Sequence, residues 1–415
     1  MVAIAPFRAL RYTAERVPDL SAVIAPPYDV IDPKEQEQLY AASPYNVVRL
    51  ILGKQSAADT ATDNRYTRAQ HEFNDWRTQQ VLQLDSTPAI YLIEQTFIDH
   101  GQQHSRLGFI ALFQLREAIE QMVYRHEATL SAPKEDRTKL LEAVPANLEP
   151  IFCVYPDDGG TVQALLEQQR RRSPDVQARL HGEAVRLWLL SEPAVIQHIS
   201  TQLASVAVLI ADGHHRFEVA YANRARYGML MSYFVSMADP ALVVRPMHRV
   251  IGGEHPIDVE ALRQLCTLEQ VSGLAVLLQW LEKAQGQGRF GYFDGQAYYR
   301  VTLKPEPCAQ WLKAPSVPQL VAPLDVSLLH WLMLPALGIR QEDVRYTAHA
   351  DAARDTVQQG QARSAWFLRA IPLEQVYTLA AQGIRLPPKS TYFYPKVPSG
   401  LTINPLVDGE MRSDV

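Results

Sequence analysis

Val206-Ala207-Val208-Leu209-Ile210-Ala211-Asp212-Gly213-His214-His215-Arg216-Phe217-Glu218-Val219-Ala220-Tyr221 is the stretch on which the reading of the fold turns. The apolar run ending at Ala211 has the length and bulk of a buried strand. A helix over about 215–227 follows, with Phe217, Ala220 and Tyr221 on its inner face. Between them, Gly213 permits a sharp turn and close backbone approach. The first N–H groups of such a helix lack internal partners and carry about half a positive charge, so an anion is stabilised there. Asp212, Gly213, His214, His215 and Arg216 crowd onto this corner, and the guanidinium fork of Arg216 matches phosphate or carboxylate oxygens. The plainer alternative is Asp212 as an N-cap beside two surface histidines. The density of polar groups favours a ligand, but the spacing does not choose between phosphate and carboxylate.

Outward from this corner, strand and helix alternate. Strands are expected at 89–98 and 106–115 as a hairpin, at 151–155, 185–190, 230–237 and 242–250. Helices are expected at 64–84, 161–171 and 193–204. Asn46–Leu52 reads as a strand. Further on, helices are expected near 258–268 and 273–285, a hairpin turning at Asp294-Gly295 across 289–303, a helix at 324–337 and a strand–helix unit at 365–382. The Pro-rich Lys304–Pro323 reads as a connector. The pattern specifies an α+β (mixed α/β) protein in which helices pack on a mixed sheet. Three regions are expected: an N-terminal lobe (1–125), a core with the histidine corner (126–256) and a C-terminal α+β region (257–415).

The 415 residues suffice for two or three lobes. With 40 Lys+Arg against 45 Asp+Glu the formal charge is −5, which argues against coating nucleic acid. Three well-separated cysteines, Cys153, Cys266 and Cys308, form neither a C-x-x-C pair nor a disulfide framework and fit a reducing compartment. No run approaches the ~20 apolar residues of a membrane helix. The expectation is a cytoplasmic protein with a small-molecule substrate, no nucleic-acid or membrane partner, and room for a homodimer.

Gly286-Gln287-Gly288-Arg289-Phe290-Gly291 spells G-x-G-x-x-G but follows a helix and precedes a strand, the reverse of a dinucleotide fold, so it reads as a helix end plus loop. A second cluster, His126-Glu127 through Lys134-Glu135-Asp136-Arg137, lacks zincin spacing, and no metal ligand set is assigned. Ser131 and Glu135 there have a plain helix-start reading; His126, Glu127, Lys134 and Arg137 do not. A third, Pro387–Gly400, brings Lys389, Ser390 and Lys396 among aromatics on an extended stretch. Ala25-Pro26-Pro27-Tyr28-Asp29 reads as a rigid turn carrying a carboxylate, and Arg245–Arg249 is a weaker basic cluster.

These segments, together with Pro6-Phe7-Arg8-Ala9 and Ser43-Pro44-Tyr45-Asn46, resemble the domain-of-unknown-function family 1015 over nearly the whole chain. The strand–Gly213-His214-His215-Arg216–helix corner also resembles the ParB/sulfiredoxin superfamily, whose members bind nucleotide phosphates at that helix N-terminus. His214 stands where sulfiredoxins carry cysteine, so thiol repair is not implied. The free-serine kinase branch, with an Asp-Gly-His-His-Arg motif, is the nearest in pattern. The resemblance implies a nucleotide-dependent phosphotransferase using ATP or ADP with Mg²⁺ on a hydroxylated metabolite such as serine. Asp212, Gly213, His214, His215, Arg216, Lys134, Asp136, Arg137, Lys389 and Ser390 would then contact phosphates. Glu127, His215 and Asp29 are the catalytic candidates, Glu127 first as base. A non-catalytic sensor of a nucleotide or phosphorylated metabolite needs the same corner without the base.

Overall fold

The computed structural model describes residues 3–116, 119–129, 131–253, 259–313 and 319–406. It divides the chain into two compact units, each discontinuous in sequence. The first comprises 1–124, 129–243 and 395–415; the second comprises 125–128 and 244–394. These limits differ from the three contiguous regions read from the sequence, because short segments at 125–128 and 395–406 cross over to complete a unit begun elsewhere.

The first unit is built on a nine-stranded mixed sheet. Its order runs Val123–Arg125, Val208–Asp212, Ile151–Tyr155, Met229–Ser236, Gln102–Gln114, Ile90–Asp99, Glu183–Leu190 and Val176–Leu180, with Ile4–Ala5 pairing on Gln102–Gln114. Met229–Ser236 runs parallel to Ile151–Tyr155 and antiparallel to Gln102–Gln114. Helices Thr161–Gln169 and Pro193–Leu203 bury Val162, Leu166, Val195, Ile199 and Leu203 against it, as their 3–4-residue apolar spacing dictates. A second core gathers helices Val48–Ile51, Arg65–Thr78 and Ser131–Ala143 around Val47, Phe73, Trp76, Leu140 and Ile403.

The second unit carries a six-stranded sheet, ordered Cys266–Val271, Tyr298–Leu303, Arg289–Phe293, Ser364–Phe367, His248–Ile251 and Val344–Thr347, with antiparallel pairing throughout. One face is apolar: Val250, Phe293, Ala365 and Phe367 meet Leu274, Leu277 and Leu281 of helix Leu274–Lys283 and Ala353 and Val357 of helix Ala350–Gln358.

The α+β reading therefore holds, with local corrections. Asn46–Leu52 is not a strand. The side chain of buried Asn46 accepts from Val48 N at 2.9 Å and donates to Ala22 O and Ile24 O, which closes a helical turn at Val48–Ile51. The helix expected over 64–84 starts on an Asn64–Thr67 capping box but ends at Thr78. Gln80 then turns with φ 58° and Leu82–Leu84 becomes a strand on Leu10–Tyr12. Cys266–Val271 is a strand rather than the end of a helix, the 215–227 helix stops at Ala222, and the strand expected over 242–250 breaks after Pro246. The Lys304–Pro323 connector lies inside the second unit and contains helix Pro305–Leu312; residues 314–318 lie outside the described ones. The Asp294-Gly295 hairpin is as expected; of the 286–291 glycines, Gly286 and Gly288 lie in a loop with positive φ, whereas Gly291 sits within strand Arg289–Phe293, opposite Arg300 and Phe367.

Close packing in the first sheet is sharpest at Gly108, where an added Cβ would lie 2.5 Å from the ring of Tyr233. Tyr233 is fully buried on the neighbouring strand and cannot retreat. Gly108→Ala is expected to lower unfolding stability by about 1–3 kcal/mol through overpacking, measured by chemical denaturation.

Candidate functional site

The corner at Gly213 is built by a strand irregularity and a left-handed residue. Val208–Asp212 pairs antiparallel with Ile151–Tyr155, and the register shifts between Ile210 and Asp212, which re-aims the strand end. Gly213 then adopts φ 90°, ψ 28°, and helix His214–Ala222 begins at once. A Cβ at Gly213 would lie 2.9 Å from Ile151 Cγ2 and 3.1 Å from Arg216 Nε, so both conformation and space require glycine. The N-cap position falls on Gly213 rather than on Asp212.

Asp212 is instead the centre of an ion cluster. One carboxylate oxygen receives Arg216 Nη2 at 2.7 Å, and the other pairs with Lys396 Nζ. Arg216 Nη1 donates to Pro150 O at 2.6 Å. The fork expected to face a ligand is thus used to tie the helix to the strand end and to the residue before Ile151. Burial opposes its charge, but Glu149, Asp212 and Asp29 raise the Arg216 pKa above its ordinary value. Lys396 is held in turn: its carbonyl accepts from Gln95 Nε2 at 2.9 Å, while Arg106 grips Gln95 Oε1 and Pro395 O.

Beside this cluster stands Glu149, which the sequence reading missed. It is buried, and its Oε1 accepts from Tyr28 N at 3.0 Å and Ser399 Oγ at 3.1 Å. Burial raises its pKa against the lowering influence of Arg216 and Arg137, and nearby Asp29 raises it further. Arg137 is buried as well. It reaches Glu149 at 3.6 Å, pairs with Asp136 at 2.5 Å, donates to Ile51 O at 2.9 Å and lies 3.8 Å over the Tyr28 ring. Asp136 is further bound by Arg65 and by Tyr66 OH at 2.8 Å. Burial would raise its pKa, but Arg137, Tyr66 and Arg65 outweigh it and hold it below the ordinary value, which makes Asp136 a poor base. A small depression of about 60 Å³ opens among Arg137, Glu149, Arg216, Asn147 and Leu230.

Asp29 differs from these locked carboxylates. It is exposed, in the 3₁₀ turn Tyr28–Val30, yet close enough to influence Arg216, Glu149 and Tyr28 electrostatically. His214 is buried and His215 half-buried at the helix start. Lys134, half-exposed on helix Ser131–Ala143, pairs with Glu218 of helix His214–Ala222 at 3.2 Å, and Glu218 also accepts from Thr129 Oγ1.

The remaining candidates fall in the second unit. Glu127 accepts from Ser390 N at 3.2 Å, Ser390 Oγ donates to Pro387 O at 2.5 Å, and His126 Nε2 meets Thr391 Oγ1 at 2.8 Å. Lys389 is exposed with φ 54°, a left-handed conformation uncommon outside glycine. Both the 126–137 and the 387–400 clusters thus divide between the units. The first unit collects Asp29, Asp136, Arg137, Glu149, Asp212, Arg216 and Lys396; the second collects His126, Glu127, Lys389 and Ser390. Glu149 had one visible signal, a lone carboxylate between Leu148 and Pro150 just ahead of a strand. Lys396 was visible only as the second lysine of its stretch.

Among the described residues, no group of three or more His, Cys, Asp or Glu is arranged to hold a metal, and no helix is long and apolar enough to cross a membrane.

The family described as "Protein of unknown function (DUF1015)" matches residues 4–327, and the chain is a member of it. No curated protein matches. Among solved structures, the chain is similar to a conserved hypothetical protein from Pyrococcus furiosus (14% identity, 71% of this chain, 95% of that one, TM-score 0.38). It is also similar to a free serine kinase in complex with AMP (15% identity, 68% and 86%, TM-score 0.37) and to SbnI with C-terminal truncation from Staphylococcus aureus (12% identity, 72% and 87%, TM-score 0.35).

Substitutions at two positions test the cluster. Gly213→Ala is expected to cost about 1–3 kcal/mol in unfolding free energy, since Ala must adopt φ > 0 against Ile151. Glu149→Gln keeps an acceptor for Tyr28 N and Ser399 Oγ and imitates the neutral form that burial favours, so it is expected to cost about 1 kcal/mol. Glu149→Ala strands both donors beside Arg137 and is expected to cost about 3 kcal/mol, read by the same denaturation curves.

Proposed function

We propose that the first unit binds the phosphates of a nucleotide at the Gly213 corner and transfers a phosphoryl group to the hydroxyl of a small metabolite, free serine being the first acceptor to try. The observation that carries this reading is Asp29: an exposed carboxylate coupled to Arg216 beside a glycine-opened helix N-terminus. Phosphoryl transfer needs positioned charge more than covalent chemistry. In this reading the amides of His214 and His215 and the His215 ring receive phosphate oxygens, and Lys134 adds positive charge from the facing helix. Arg216, Lys396 and Arg137 keep the corner rigid and its field positive at the amides, rather than gripping phosphate directly. Gly213 supplies close approach, and Asp212 with Asp136 holds the cations in place.

Asp29 accepts the proton of the acceptor hydroxyl in this scheme. Glu127, the sequence-based first choice, belongs to the second unit with Lys389 and Ser390 and is an alternative base. A Mg²⁺ ion would neutralise phosphate charge; it needs few protein ligands when phosphates supply oxygens, and Asp29 is the exposed carboxylate of the corner. ATP and ADP are both suitable donors on this geometry. A second reading, a non-catalytic binder of a nucleotide or phosphorylated metabolite, draws on the engagement of Arg216 and Lys396 with Asp212, which leaves the charges locally balanced.

Incubation with ATP or ADP, Mg²⁺ and a panel of amino acids and other hydroxylated metabolites separates the two. The kinase reading expects a phosphorylated product that Asp29→Asn reduces about 100-fold or more, with nucleotide affinity changed less than about threefold. His215→Ala should weaken nucleotide binding. Binding without product in the wild type selects the second reading, and no nucleotide binding at all removes the first.

A further inference from the structure

The second unit contains an arginine that nothing in the proposed phosphotransfer uses. Arg249 sits mid-strand in His248–Ile251, at 0% exposure. Strand alternation places Val250 on the apolar face of the six-stranded sheet and Arg249 on the other. There it lies directly opposite Trp366 on one neighbouring strand and Tyr346 on the other, and Tyr292 continues the row beside Trp366. The guanidinium packs 5.0 Å from the Tyr346 ring. Nη1 donates to Met247 O, but Nε and Nη2 are buried without a hydrogen-bond partner. These two nitrogens form one edge of the guanidinium, the side-on fork whose parallel N–H bonds fit the two oxygens of a carboxylate.

The surroundings repeat the pattern. Trp366 Nε1, on the adjoining strand, is also buried without a partner, as are Ser327 Oγ and His330 Nδ1, three residues apart on the helical segment after Asp325. His330 lies in a π-helical stretch, Leu328–Met333, a geometry enriched at functional sites. Its imidazole is coupled to Arg249, and burial lowers its pKa to about 4, so it is neutral at pH 7 and free to serve as donor or acceptor. Burial likewise lowers Arg249 to about 10, which leaves it charged. Charged groups facing it are few. Tyr346 and Glu127 favour its charged form, Glu127 with Oε1 receiving Ser390 N, and His248 is held neutral by burial. A buried guanidinium with an open fork, next to an indole N–H, is costly for an apolar sheet face unless oxygens fill it.

We infer that this face of the second unit is a binding site for a small organic carboxylate, received by the Nε/Nη2 fork of Arg249 with Trp366 Nε1, Ser327 and His330 completing the polar contacts and Tyr292 and Tyr346 enclosing the body of the ligand. The inference is independent of the Gly213 corner: it requires neither nucleotide nor turnover.

Thermal unfolding of the full chain in chloride buffer, titrated at constant ionic strength with acetate, benzoate or inorganic phosphate, tests it. A saturating carboxylate is expected to raise the midpoint by about 2–4 °C, phosphate by less. Arg249→Lys keeps the charge and loses the fork, and should abolish the carboxylate-dependent shift. Arg249→Met should match or exceed the wild-type midpoint in carboxylate-free buffer, because it removes an uncompensated buried charge. Amide hydrogen exchange on the wild type gives a reading that does not depend on either variant folding: benzoate should protect 248–251, 327–333 and 364–367. The inference is overturned by no carboxylate-dependent shift, by an equal shift with phosphate or in Arg249→Lys, or by protection confined to other segments.

Discussion

A single carboxylate, Asp212, determines how the histidine corner is assembled. Its two oxygens are taken by Arg216, four residues on, and by Lys396, 184 residues away in sequence. The first bond fixes the helix start against the strand end; the second fastens the C-terminal stretch to the same point. Pairs buried this far from water contribute little net stability compared with apolar packing, yet removing one partner leaves a charge uncompensated. What they supply is a defined geometry. Gly213 is the complementary constraint, since only a residue tolerant of φ 90° allows Asp212 and Arg216 to face one another across so tight a turn.

The cluster also shows why the corner is electrostatically balanced rather than simply basic. Arg137, Arg216 and Lys396 are interleaved with Asp136, Glu149 and Asp212, so the field at the helix amides is set by small imbalances. Within it Glu149 is held partly against its own charge and Asp136 firmly with it, a divergence produced by burial in one case and three close donors in the other. Asp29, in solvent, is the member free to change its company.

Much of the fold was legible because strong periodicity survives tertiary context. The hairpin at Ile90–Asp99 and Gln102–Gln114, the helices Thr161–Gln169 and Pro193–Leu203 and the Asp294-Gly295 turn all follow from local pattern. The misreadings share a cause. At Asn46 a buried side chain bonds to backbone groups over twenty residues away, and at Cys266–Val271 a strand exists because Tyr298–Leu303 offers an edge. Neither partner can be seen in a local window. The site was half legible for the same reason: the Gly213 corner and the Pro26-Pro27-Tyr28-Asp29 turn announce themselves, whereas Glu149 depends on Tyr28 and Ser399, and Arg216 in part on Pro150, all far off in sequence. Arg249 appeared only as one residue of a basic cluster; its isolation emerges from strand alternation within a sheet whose order could not be read beforehand.

The return of Pro395–Leu406 to the first unit has a consequence for biosynthesis. Ile403 enters the helical core, Asn404 and Pro405 pair with Asn147 and Ala146, and Ser399 bonds Glu149. A nascent chain therefore emerges with most of that unit made but its last strap still inside the ribosome, while the whole of the intervening unit is synthesised. Such long-range closure is slow and leaves apolar surface open meanwhile, so the first unit reaches its full packing only after the second has been made.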